Sequence, residues 1–249
     1  MTSSIKFRYS TGILGPDNAP DFEWEYPVPV NDFWNSFKYT SGRNFLTCFS
    51  QDEINEMYLE KHTDLSNKQK ATILLTIIKD KISALESPDR PLWETDFPTW
   101  QTLMQAAISM YGELELLDEE IEAEEQVIEK RGDKSIPAHA HGLAYLLSKR
   151  GLPGDFEKSE ELERNALEWF DVNLGKNSPQ ALSVRRVIAT AVWGQERYTE
   201  AEELIAEMFQ LIEGSEDGEY EVYQKEERQL VNELVEELKG LKAKRISHE

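Results

Sequence analysis

A phrase that recurs about every 40 residues constrains this chain most. Arg131-Gly132, Leu174-Gly175 and Glu213-Gly214 each read as the end of a helix, and the glycines lie 43 and 39 residues apart. A glycine directly after a helix takes the left-handed backbone that closes the last turn. Pro137 and Pro179 follow the first two, 42 residues apart, and suit the first turn of the next helix. Between these marks the wording repeats. Asp155-Phe156-Glu157-Lys158-Ser159-Glu160-Glu161-Leu162 corresponds to Arg197-Tyr198-Thr199-Glu200-Ala201-Glu202-Glu203-Leu204 at an offset of 42. A looser copy lies around Leu116 to Ala123. Two helices per unit at this period predict a helical solenoid, in which each hairpin buries its apolar face only against its neighbours. Such an array needs a terminal cap. The stretch from about Glu219 to Arg245 suits that role, with Tyr223, Leu230, Leu234, Leu238 and Leu241 forming one apolar stripe on a charged helix.

The rest of the chain divides by composition. Residues 1–50 hold 11 of the 25 aromatic residues, together with Pro16, Pro20, Pro27 and Pro29. Prolines at this density stop long helices, and so many aromatic rings gain by leaving water. The expectation is an ordered but irregular arm packed on the body, with short strand pairing near Ile5–Tyr9 or Glu23–Tyr26. Helices are expected to begin after Ser50. Ser50-Gln51-Asp52-Glu53 and Ser66-Asn67-Lys68-Gln69 are capping-box patterns. The second opens a helix to about Ser87, with Ala71, Leu74, Leu75, Ile78, Ile82 and Leu85 on its apolar side and Ile73 and Ile77 widening it. Ser87-Pro88-Asp89-Arg90-Pro91 marks a boundary, and Asp96 with Pro98 starts a new helix. The expected organisation is an arm over 1–50, N-terminal helices over 51–95, and helix hairpins with a cap over 96–249. The fold class is all-α.

The repeat phrases resemble the tetratricopeptide family, in the long variant of about 42 residues found in kinesin light chains and many fungal repeat proteins. Leu143-Ala144, Leu147 and Gly151 match a first helix, and Phe156 with Ser159-Glu160 a second. Ile188-Ala189, Val192, Tyr198 and Ala201-Glu202 repeat that order. Leu174-Gly175-Lys176-Asn177-Ser178-Pro179 looks like that variant's inter-repeat linker, with Ser178 where the family usually has histidine. The resemblance covers about residues 100–215. Leu152-Pro153-Gly154 is an insertion relative to it. It implies a concave face lined by first helices and a role in binding other proteins.

Charge narrows the partners. The net charge is −21, and residues 96–249 carry most of the excess acid. Such a surface repels nucleic-acid backbones and anionic lipid. No apolar run is long enough to span a membrane, and Met1–Ser10 lacks the apolar core of a secretory signal. Cys48 is the single cysteine, which fits a reducing, cytoplasmic setting, and its apolar neighbours make it a small core residue.

Few residues suggest chemistry. His139 and His141 are two apart, the wrong spacing for two ligands on one helix face, so neither metal nor cofactor is expected. The acids between Glu113 and Glu129 ride an amphipathic helix and read as its solvated face. No phosphate-binding, zinc-protease or nucleophile-elbow motif occurs. The arginine pair Arg185-Arg186 lies on a first helix, and a guanidinium can grip a carboxylate with two parallel hydrogen bonds. Its competing reading is local pairing with acids such as Glu160 or Glu163. Trp24, Trp34 and Trp100 are the aromatic candidates for an apolar ligand. Three readings of function remain. One is a non-enzymatic adaptor or scaffold that binds a protein or peptide. Another is a small-molecule protein, or an enzyme without a motif of the pericyclase or isomerase kind, with an apolar pocket between arm and repeats. The third and least specific is a purely structural oligomer in which the arm of one chain docks on another.

Overall fold

The computed structural model describes residues 7–8, 27–87, 89–132, 137–214, 218 and 220–246. It is mostly helical, and the described chain separates into two compact units, Met1–Arg131 and Gly132–Glu249. Among the described residues no helix is long and apolar enough to cross a membrane.

The first unit is built around two long helices. Two short ones, α1 (Tyr39–Leu46) and α2 (Gln51–Met57), precede α3 (Asn67–Leu85). After the brief α4 (Leu92–Thr95) come α5 (Phe97–Leu114) and α6 (Leu117–Arg131). Both expected capping boxes form: Ser50 and Ser66 accept from the backbone N–H of Glu53 and Gln69, whose side chains return the bond. Asp96 caps α5 through the Thr99 N–H at 3.2 Å. On α3 the residues Ala71, Leu74, Leu75 and Ile78 are buried. Leu85 is instead 46% exposed, because the last turn of α3 runs past the core. The Ser87–Arg90 turn is not a division between units: α3 and α5 pack on each other across it, and α5 also holds α1, α4 and α6.

The expected irregular arm is partly regular. Phe7–Arg8 pairs antiparallel with Val28–Pro29, in the register Phe7 opposite Pro29 and Arg8 opposite Val28. Glu23–Tyr26 lies outside the described residues. Helices begin at Tyr39, before Ser50, since the last proline of this segment is Pro29 and nothing after it blocks a helix. Gly42 lets α1 come close: a Cβ there would stand 3.2 Å from Val28 Cγ1. The arm's described apolar residues form a large part of this unit's core. Val28, Phe33, Trp34, Phe37, Tyr39, Phe45, Leu46 and Phe49 are all buried in one cluster with α3 and α5. Glu113 on α5 secures the segment, accepting from Ser41 Oγ at 2.7 Å and the Lys38 N–H at 3.1 Å.

Cys48 sits at this seam. Burial pushes its thiol up to about 12, against the opposing pull of the Lys81 ammonium. Because only the thiolate attacks alkylating reagents, Cys48 is expected to react about a thousandfold more slowly in the folded chain than in urea at pH 8. Equal rates of iodoacetamide labelling would contradict its placement.

The second unit contains α7 (Pro137–Arg150), α8 (Asp155–Leu174), α9 (Pro179–Gly194), α10 (Tyr198–Glu213) and α11 (Gln224–Ile246). Each helix packs on the next, and α9 also touches α7 and α11. Helices adjacent in sequence are thus adjacent in space. Ser178, fully buried, caps α9 through the Ala181 N–H at 3.1 Å, with Pro179 in the first turn. Gly132 and Gly175 have positive φ, as expected of residues that end helices. Gly214 does not: its φ is −71°, and its N–H continues the helical pattern to Gln210 O at 2.9 Å. On α11 the buried face is Glu227, Val231, Leu234 and Leu238, while Leu230 is half-buried beside it.

Small residues set the close approaches in this stack. A Cβ on Gly194 would lie 2.5 Å from the Phe156 ring, so this position on α9 has room only for glycine beside that ring of α8. Ala201, at the start of α10, is 0% exposed within the core. Ala201→Leu should force the hairpin apart and cost about 1–3 kcal/mol. An unchanged urea midpoint would show that the site has room to spare.

Candidate functional site

Helices α7, α9 and α11 enclose a groove of about 640 Å³ within the second unit. From α7 come Tyr145 and Lys149, from α9 Ser183, Arg186, Val187 and Thr190, and from α11 Leu230, Glu233, Leu234 and Glu237. Phe156, Trp193 and Gly194 form its apolar end. The ring of Tyr145 is 53% exposed. Lys149 is exposed and has no ion-pair partner among the described residues. The rim is therefore cationic on the α7 side and anionic on the α11 side, with an apolar strip between.

The arginine pair divides between two roles. Arg186 lines the groove and is held by Glu227 of α11. Burial pushes the Glu227 carboxyl up, and the Arg186 charge opposes that shift. Arg185 faces the other way. Its side chain is 3% exposed, and its guanidinium holds both oxygens of Asp171 at 2.8 Å. It also donates to the carbonyl oxygen of Ala181 at 3.3 Å. Neither arginine pairs with Glu160 or Glu163. Glu160 is taken by Arg164, Arg197 and Gln195.

The tryptophan candidates are not gathered at this groove. Trp34 is 1% exposed and Trp100 5% exposed, both in the core of the first unit, and Trp24 lies outside the described residues. Most acids between Glu113 and Glu129 do form a solvated face.

A second constellation escapes a reading by motif. His141 of α7 places Nδ1 2.5 Å from Oε1 of Glu163 on α8, and Nε2 3.1 Å from Oγ of Ser183 on α9. Glu163 is wholly buried. Desolvation raises its carboxyl above the usual range, and the hydrogen bond and charge of His141 act against that rise. Its other oxygen, Oε2, is buried without a hydrogen-bond partner. The repeat itself held the signal. His141 and Ser183 are 42 residues apart, each four positions after the proline that starts its helix. Helices α7 and α9 touch, and this shared position brings the two side chains together. No group of three or more histidine, cysteine or acidic side chains among the described residues is placed to hold a metal ion.

No protein-family model, no curated protein and no solved structure matches this chain.

Proposed function

We propose that the second unit is a tetratricopeptide-like array that docks a segment of a partner protein in the groove of α7, α9 and α11. The observation that carries this reading is the groove's rim, with Lys149 unpaired on one side and Glu233 and Glu237 on the other. Buried apolar strips give affinity, while charges at a rim select partners and speed association. The matching occupant is a short peptide with one or two apolar residues between an acidic and a basic end. The net charge of −21 disfavours a wholly acidic partner, so the basic end of the peptide is the one steered in over long range.

Fluorescence polarisation with three labelled peptides of equal length tests this. They carry the same apolar centre, flanked by acid and base, by two acids, or by two bases. The acid-and-base peptide should bind at least about fivefold more tightly than the others, a margin that shrinks as salt is added. Lys149→Glu should transfer the preference to the doubly basic peptide. Equal affinity for all three, or no response to Lys149→Glu, would overturn the assignment.

A further inference from the structure

We infer that Ser183 is the nucleophile of an ester-hydrolysing site that opens on this groove, with His141 as its base and Glu163 as the positioning residue. The inference concerns chemistry rather than docking, and it stands whether or not a peptide occupies the groove.

The geometry meets the requirements of an activated hydroxyl. A nucleophile and its base must lie within hydrogen-bond reach, and a third group must orient the base. The 3.1 Å and 2.5 Å separations do both. With the Glu163 carboxylate accepting the Nδ1–H of His141, Nε2 is left as the acceptor for the Ser183 proton.

Some helical hydroxyls of this chain bond within their own helix, whereas Ser41 and Ser159, like Ser183, reach a neighbouring element. Thr72, Thr76, Thr102, Ser109 and Thr190 each donate to the carbonyl oxygen four residues back. That is the local bond such side chains ordinarily make within a helix. Ser183 forgoes it, and the partner of its Oγ is the imidazole. Ser183 also lines the groove, so a substrate carbonyl can reach it from that side.

The step balances with water as the second reactant. Ser183 Oγ bonds to the ester carbonyl carbon while its proton passes to His141 Nε2. The C–O bond to the alcohol breaks, and the departing oxygen takes that proton. Water then attacks the acyl group on Ser183, giving its proton to His141. The carboxylic acid leaves, and Ser183 regains its hydrogen. The tetrahedral oxyanion needs a donor other than the Ser183 backbone. Ser183 is the fifth residue of α9, so its own N–H is used inside the helix. The groove offers the Lys149 cation instead. A site without aligned backbone donors gives up much of its rate, so the substrates are activated, short carboxylic esters with good leaving groups.

The test uses the full chain with p-nitrophenyl acetate, read by nitrophenolate release and by mass mapping of the acetylated peptide. The intact protein should release nitrophenolate at least about tenfold faster than Ser183→Ala, with the acetyl group on Ser183. Glu163→Gln should lower kcat about tenfold or more while leaving KM within twofold, a split that a general loosening of the fold would not produce. Should Ser183→Ala lose its helical circular dichroism, labelling of the intact chain by a fluorophosphonate decides alone: a mapped adduct on Ser183 supports the site. Equal rates for the intact protein and Ser183→Ala, or acetyl and phosphonyl groups found only elsewhere, overturn it.

Discussion

Arg185→Ala should destabilise the second unit by about 3–5 kcal/mol, the cost of leaving a buried charge without its partner. Arg185 spans the α8–α9 contact. Its guanidinium meets Asp171 with two parallel bonds and reaches two backbone carbonyls besides. Asp171 is only 17% exposed, so water replaces little of what is lost. Arg185→Lys should recover only part of the loss, because an ammonium cannot copy the planar fork. Replacing both partners, as in Arg185→Met with Asp171→Leu, should recover most of it, since a matched apolar pair carries no desolvation penalty. Urea denaturation followed by circular dichroism measures each. A loss under about 1 kcal/mol for Arg185→Ala would mean that the ion pair is not closed in solution.

Trp34→Ala should cost the first unit about 3–5 kcal/mol. The ring is sealed among Phe33, Phe37 and Phe45, with centroids at 5.1, 6.3 and 5.8 Å. Gly42 backs it closely: a Cβ there would lie 3.6 Å from Trp34 Cε3. Truncation leaves a void that helices tied to α5 cannot collapse to fill. Hydrogen exchange should show faster opening of the α1, α3 and α5 amides. A tryptophan kept for ligand contact would instead be removed with stability intact, and that outcome would contradict its place in the core.

What the sequence made legible follows from local chemistry. Ser50, Ser66 and Asp96 mark helix starts because a cap is a bond between residues three apart, readable without knowing the fold. The apolar face of α3 follows from helical spacing alone. The arm was harder. Eleven aromatics declared burial, but not that Tyr39–Leu46 would be helical, since that helix is held by Val28 and α5 rather than by its own sequence. Arg185 and Arg186 read as one basic pair, yet successive helical residues point about 100° apart. One therefore enters the core toward Asp171 and the other faces the groove. His141, Glu163 and Ser183 come from three helices. No motif scan joins them, although the 42-residue offset places two of the three.

Isotope-labelled full-length protein titrated with the acid-and-base peptide, followed through its backbone amide shifts, tests the docking groove most directly. The groove predicts shift changes concentrated at Tyr145–Lys149 on α7, Ser183–Thr190 on α9 and Leu230–Glu237 on α11, all clearly reduced at equal peptide concentration in Lys149→Glu. Shifts centred on α1, α3 and α5 of the first unit, or shifts that persist unchanged in Lys149→Glu, would contradict it.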